Sequence, residues 1–183
     1  MRINLSEKHN IYLMGFMGCG KSKVGRIIAQ KLGWPFLDTD DCIVEEAELT
    51  IPEIFEQMGE SHFRELEKNC IEKVASLNGH VISLGGGAII DPENWEHICR
   101  SGMTVTLSYP PEILAARLEK KSDRPLLNET EGKSRLIKII DLLNKRESYY
   151  RRADLVLHLN KEVPADRVAE TLIGYMKGSI CEK

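Results

Sequence analysis

Apolar runs and amphipathic stretches alternate along this chain, and the alternation predicts an architecture. The run Ile11-Tyr12-Leu13-Met14 has no polar face, as a strand buried inside a parallel sheet requires. Val24, Ile27, Ile28 and Leu32 then recur at helical spacing until Gly33 and Pro35 stop the helix. Phe36-Leu37 opens a second short strand running into Asp38-Thr39-Asp40-Asp41, and helical stretches follow over residues 43–48 and 51–77. A third strand, 81–84, ends abruptly in Gly85-Gly86-Gly87. Beyond it the pattern predicts a helix over 92–101, a strand over 103–107 and a helix over 111–119 with Ile113, Leu114 and Leu118 apolar. Residues 120–133 are a polar break containing Arg124-Pro125. Leu136, Ile137, Ile140 and Leu143 mark a long helix, 155–159 a last strand, and 168–176 a last helix.

Five strands separated by helices call for an α/β fold, a five-stranded parallel sheet with helices on both faces in three layers, with ligands bound at the carboxyl ends of the strands. The chain of 183 residues shows no internal repeat and no low-complexity linker. We therefore expect a single domain over 1–183, with a helical insertion at about 39–77 and a lid at about 119–133.

Composition narrows the setting. With 42% hydrophobic and 29% charged residues, and no apolar run near the ~18 residues of a membrane span, a membrane role is not expected. The first nine residues carry no apolar signal core, so a cytoplasmic protein is expected. Five cysteines without a C-x-x-C pair read as free thiols in a reducing compartment. A net charge of −3 gives no reason to expect nucleic acid as a partner. We expect a monomer acting on a small molecule.

The segment Gly15-Phe16-Met17-Gly18-Cys19-Gly20-Lys21-Ser22 is a complete P-loop between a strand and a helix, the context in which the motif binds a nucleoside triphosphate. Gly15, Gly18 and Gly20 let backbone N–H groups turn in around phosphate oxygens, with Cys19 and Lys23 on the same turn and helix start. The positive end of the helix points at the phosphates, Lys21 reaches the β- and γ-phosphates, and the Ser22 hydroxyl ligates Mg²⁺. Cys19, beside Lys21 at that positive end, is expected to favour its thiolate and to be alkylated before the other cysteines.

Around the loop stand further candidates. Of Asp38 and Asp40, one can serve Mg²⁺ and the other the acceptor, as phosphoryl transfer requires; acids in such a place also cap helices. Arg64 and Arg146 have the planar fork that grips a carboxylate, although helix arginines are as often solvated or paired with a glutamate one turn away. Gly85, Gly86 and Gly87 offer backbone without side chains, as close ligand approach demands. Arg124 is placed to swing onto the transferring phosphate.

A GTP-dependent switch would need a D-x-x-G segment, which the sequence lacks, and a mechanical ATPase a strand ending in a metal-binding Asp, where this third strand ends in glycines. A small-molecule kinase remains. The P-loop with Val24-Gly25-Arg26, Asp38-Thr39-Asp40, Phe63-Arg64-Glu65, the triple glycine, Arg124-Pro125-Leu126-Leu127, and Arg146 followed by Tyr149-Tyr150 stand in the order and spacing of the shikimate kinases, which the chain resembles from about Ile11 to Arg167. The resemblance implies the fold of nucleoside monophosphate kinases and ATP-dependent phosphorylation of the 3-hydroxyl of shikimate, on the way to chorismate and the aromatic amino acids. It implies that Asp40 orients the acceptor hydroxyls and takes the proton, with Lys21 and Arg124 completing the catalytic set. It further implies that Arg64 and Arg146 hold the shikimate carboxylate, that Gly85, Gly86 and Gly87 line its pocket with Phe55 and Phe63 beside the ring, and that Arg124 closes as a lid. Arg117 would lie against adenine, with 160–164 completing that pocket. Kinases of gluconate or of a nucleotide, and an ATP-binding regulator without activity, are the alternatives.

Overall fold

The structure, a computed structural model, describes residues 10–119 and 132–178. Strands β1 (Asn10–Met14), β2 (Phe36–Asp38), β3 (Val81–Ser83), β4 (Gly102–Ser108) and β5 (Leu155–His158) form one parallel sheet in the order β2-β3-β1-β4-β5. Every residue of β1 and β3 is buried. A parallel strand buried on both sides needs helices over both faces of the sheet, and the apolar runs supply the area. Ile11, Leu13, Val81, Ile82, Met103 and Val105 are completely enclosed, each worth about 1.5–3 kcal/mol of transfer free energy.

The helices are α1 (Lys21–Leu32), α2 (Thr39–Ala47), α3 (Ile51–Ala75), α4 (Pro92–Ser101), α5 (Pro111–Leu118), α6 (Gly132–Tyr150) and α7 (Ala165–Met176). Helix α1 packs on α7, α3 on α2 and α4, and α5 on α6. From β1 the chain passes beyond β3 to reach β2, and later returns across β1 to β4. The direction of winding thus reverses beside β1, and the crevice at its carboxyl end is where such sheets bind ligands. The register places Leu13, Ser83 and Asp38 in one row across β1, β3 and β2, which sets Ser83 and Asp38 at the sheet's upper rim next to the loop that leaves β1.

Caps decide several boundaries that periodicity leaves open. Helix α2 begins at Thr39, ahead of the expected 43, because the Asp38 side chain accepts a hydrogen bond from the Asp40 N–H (3.1 Å). Asp40 therefore stands on the first turn of a helix. Helix α3 opens with a reciprocal cap between Thr50 and Glu53, and it bends at Gly59, whose φ of 81° and ψ of 170° are not helical. A short 3₁₀ turn, Ala88–Ile90, follows the glycine run and was not expected. The lid expected at 119–133, and Arg124 within it, fall almost entirely outside the described residues.

Candidate active site

The P-loop follows from β1 and α1 being adjacent in sequence and in space. At Gly15 (φ +136°) a Cβ would lie 2.5 Å from the Leu107 carbonyl oxygen, so only glycine lets the loop rest against β4. Gly20 (φ 94°) caps α1 without a side-chain hydrogen bond, which leaves the first N–H groups of the helix, at its positive end, for an anion. The Lys21 ammonium arches back over the loop and donates to the carbonyls of Gly15 (2.9 Å) and Phe16 (3.3 Å). The Ser22 hydroxyl donates to Asp38 Oδ2 (2.6 Å), with the Ser83 hydroxyl 3.4 Å away. Gly20, Lys21, Ser22, Asp38 and Ser83, with Gly18, Cys19, Lys23, Asp40, Gly86 and Arg117 but not Gly15, line a cavity of about 920 Å³, ample for a nucleotide. Cys19 departs from expectation. Only 2% of it is exposed, so reagents are kept from its thiol.

The triple glycine is explained one residue at a time. A Cβ on Gly85 would lie 2.7 Å from Asp40 Oδ1, one on Gly86 3.5 Å from Arg146 Nη1, and one on Gly87 3.0 Å from Arg64 Nη1. Three side chains from three helices therefore converge on a strip of bare backbone. The strip is pinned in place: the Gly85 N–H donates to Thr39 Oγ1 (2.9 Å), and the Gly86 carbonyl accepts from Arg146 (3.3 Å) and from the Tyr150 hydroxyl (2.8 Å). Arg146 and Tyr150 are one helical turn apart and both buried. Burial pushes the Tyr150 phenol up to about 12. Arg64 lies over the Phe63 ring at 5.2 Å, and the Phe55 ring packs on that of Phe63, centroids 4.8 Å apart. Phe55, Phe63, Arg64, Gly85, Gly87 and Arg146 do not themselves line the 920 Å³ cavity; they join it through Gly86 and Asp40.

Arg64 also has the glutamate partners that helix arginines usually find, Glu60 (2.9 Å) and Glu67 (2.9 Å). Glu67 is the residue that sequence reasoning missed. It is 2% exposed, and its Oε1 would be 3.2 Å from a Cβ on Gly85. Burial raises its pKa and the Asp40 charge adds to this, against the attraction of Arg64. For Arg64, burial opposes the charged form, but Glu67 and Glu60 more than offset it, and its pKa lies above the ordinary value. A signal was present: Glu67 interrupts the apolar stripe Phe63, Cys70, Ile71 and Val74 on the buried face of α3.

On the far side of the P-loop, Arg117 donates to Glu162 through Nε (2.9 Å) and Nη2 (2.5 Å) and to the Gly18 carbonyl (3.1 Å), and lies over the Tyr109 ring at 4.1 Å. Glu162 and Val163 of the 160–164 segment line the same cavity. Tyr109, at the carboxyl end of β4, was not anticipated. For a cation, Ser22 and Asp38 offer hard oxygen donors. Among the described residues no group of three or more His, Cys, Asp or Glu forms a metal site. That donor set suits Mg²⁺, which keeps waters and phosphate oxygens among its ligands and takes only one or two protein groups.

Phosphoryl transfer needs room for a triphosphate and for the group that receives the phosphoryl, and here the P-loop cavity meets the glycine strip at Asp40. Fold and site together define a P-loop kinase for a small molecule. The sequence is more specific still: the family model "Shikimate kinase" matches residues 17–177, and the chain belongs to the shikimate kinase family. The shikimate kinase of Caldanaerobacter subterraneus subsp. tengcongensis is 37% identical over 168 residues, which cover 92% of this chain and 96% of that one. Among solved structures, the shikimate kinase from Acinetobacter baumannii in complex with shikimate superposes with a TM-score of 0.87 at 35% identity, covering 96% of each chain. A gluconokinase from Sinorhizobium meliloti superposes with a TM-score of 0.56 at 18% identity over 94% of each chain, a likeness of fold alone.

Proposed function

We propose that the protein transfers the γ-phosphoryl group of ATP to the 3-hydroxyl of shikimate, giving 3-phosphoshikimate and ADP. The observation that carries the acceptor reading is the convergence of Asp40, Arg146 and Arg64 on the glycine strip, each within 3.5 Å of where a Cβ would stand. A carboxylate facing two guanidinium groups suits a ring that bears hydroxyls on one side and a carboxylate on the other. In this reading Arg64 and Arg146 fix the ring through its carboxylate, and Asp40 orients the reacting hydroxyl and accepts its proton as the O–P bond forms. Lys21 and the N–H groups of the loop hold the β- and γ-phosphates, and Arg124 covers them from the 119–133 segment. Ser22 and Asp38 would hold Mg²⁺, whose charge offsets that of the phosphates when bound. The reading places the enzyme in the cytoplasm as a monomer, in the route to chorismate.

The test is ADP release measured against shikimate, gluconate and nucleoside monophosphates, with and without Mg²⁺. Shikimate alone should support turnover, and only with the metal. A preference for gluconate, whose kinase shares the fold, would overturn the acceptor reading. Lys21→Ala should lose both ATP binding and turnover, whereas Asp40→Asn should lose turnover and keep most of its ATP affinity by calorimetry.

A further inference from the structure

The glycine strip runs on into the 3₁₀ turn Ala88–Ile90, and the turn is tied back to it: the Ala88 N–H donates to the Gly85 carbonyl (3.2 Å) and the Ile90 N–H to the Gly87 carbonyl (3.0 Å). Two side chains hold the turn from outside. Asn94 of α4, buried, donates to the Ala88 carbonyl (3.0 Å), and Arg152, just past the end of α6, donates to the Ile89 carbonyl (2.8 Å). The Arg152 guanidinium carbon also lies 4.4 Å from the Trp95 ring centroid and 4.8 Å from that of Tyr149, within cation–π reach of both. Trp95 follows Asn94 on α4, and Tyr149 lies one turn beyond Arg146 on α6. Arg152 therefore joins α4, the end of α6 and the turn behind the strip. Its neighbour Arg151 pairs with Glu147 (2.6 Å), the ordinary partner of a helix arginine. Arg152 forms no ion pair among the described residues and directs its guanidinium to a carbonyl and two rings.

These contacts bear on the acceptor side. Gly87 is the residue whose missing side chain leaves room for Arg64, and it lies between Gly86, which Arg146 grips, and the turn that Arg152 grips. Arg152, Trp95 and Tyr149 do not line the P-loop cavity. Resting on the acceptor reading above, we propose that Arg152, held by Trp95 and Tyr149, is a positioning residue for the carboxylate end of the acceptor, acting through the Ile89 carbonyl on the Gly87 end of the strip. Arg64 is on α3 and Arg146 on α6. Two guanidinium groups from different helices grip one carboxylate well only where their separation suits it, because the planar fork is exacting in distance and angle. Both stand against the strip, so a turn free to shift would move the support of Arg64 relative to that of Arg146. The two rings reduce the rotamers that Arg152 samples, so the Ile89 carbonyl is held before any acceptor arrives.

The experiment is steady-state kinetics with shikimate as the varied substrate, and calorimetry with Mg-ATP, on the wild type, Arg152→Ala, Arg152→Lys, Trp95→Ala, Trp95→Phe and Arg151→Ala. In Arg152→Ala the KM for shikimate should rise about 3- to 10-fold, the size of one lost hydrogen bond, with kcat and ATP affinity near wild type. Arg152→Lys, which keeps the charge and a donor, should recover part of the loss. Trp95→Ala removes no charge, yet should raise the KM in the same direction, and Trp95→Phe, which keeps a ring, should restore it in part. Arg151→Ala removes the same charge one residue away and should keep the wild-type KM. An unchanged KM in Arg152→Ala, with only Tm lowered, would mean that the contacts merely support the fold. An equal rise in Arg151→Ala would mean a general attraction of an anion to positive charge, and equal losses for ATP and shikimate would mean that the whole site has loosened. Any of the three overturns the proposal. Should Arg152→Ala fail to fold, the KM of Trp95→Ala against Trp95→Phe decides the matter in the same way. A wild type that does not phosphorylate shikimate would overturn the acceptor reading and this proposal with it, whereas a wild-type KM in Arg152→Ala overturns this proposal and leaves that reading standing.

Discussion

Replacing Gly85 with alanine perturbs the acceptor side through a single methyl group. Gly85 has no positive φ, so alanine brings no backbone strain and the substitution tests space alone. The new Cβ would stand 2.7 Å from Asp40 Oδ1 and 3.2 Å from Glu67 Oε1. Ordinary contact begins near 3.4 Å, so Asp40 must give way by about 0.7 Å. The strip cannot retreat, because the Gly85 N–H is bonded to Thr39 and the Gly86 carbonyl to Arg146 and Tyr150. A displacement approaching 1 Å at a positioning group costs on the order of 10²-fold in rate. We therefore expect kcat to fall about 10- to 100-fold, equivalent to about 1.4–2.7 kcal/mol in the barrier. ATP affinity and Tm should stay near wild type, since the P-loop is untouched and no buried apolar contact is lost. The assay is coupled ADP release, with calorimetry for ATP. A Cβ on Gly86 would meet Arg146 at an ordinary 3.5 Å, so the displacement of Asp40 is particular to Gly85. Wild-type kcat in Gly85→Ala would refute the role assigned to the position of Asp40.

Arg64→Ala and Arg146→Ala should each raise the KM for shikimate by removing a carboxylate contact, with Arg146→Ala also lowering Tm because that residue is only 7% exposed and ties α6 to Gly86. Arg124→Ala should instead lower kcat by about 10²- to 10³-fold with a smaller change in KM, the pattern of a group that meets the phosphoryl group chiefly in the transition state; steady-state kinetics separates the cases. Tyr150→Phe should cost about 1 kcal/mol at neutral pH through the lost bond to Gly86. The phenol's folded pKa of about 12 lies above its usual 10, so the folded state keeps a proton that the unfolded chain releases, and stability falls as pH rises from 10 to 12. Denaturation curves across that range should be flatter for the phenylalanine variant. Mass spectrometry after brief alkylation should find Cys99 or Cys42 modified before Cys19, since both are partly exposed and Cys19 is not.

Much of this protein is written locally. The P-loop is contiguous, and its meaning comes from a strand before it and a helix after it, so the nucleotide site and the α/β alternation were legible residue by residue. The order in which strands and helices follow was equally local, because apolar period and stop signals act over a few residues. Other features depend on the chain meeting itself. The sequence shows three glycines together but not why three are needed; the reason is that Asp40, Arg146 and Arg64, from α2, α6 and α3, each occupy the space of one missing side chain. The same holds for Glu67, a charge that reads as surface until α3 is laid against the glycine strip, and for Tyr109, whose partner Arg117 is on the next helix and whose clamp, Glu162, lies beyond β5. It holds in reverse for Cys19, where local electrostatics pointed to reactivity and packing removed the access that reactivity needs. Short-range rules fix which groups the chain carries and on which elements, since they involve neighbours in sequence. Which groups then share one site is set by sheet order and helix packing, interactions between residues far apart along the chain that no local pattern encodes.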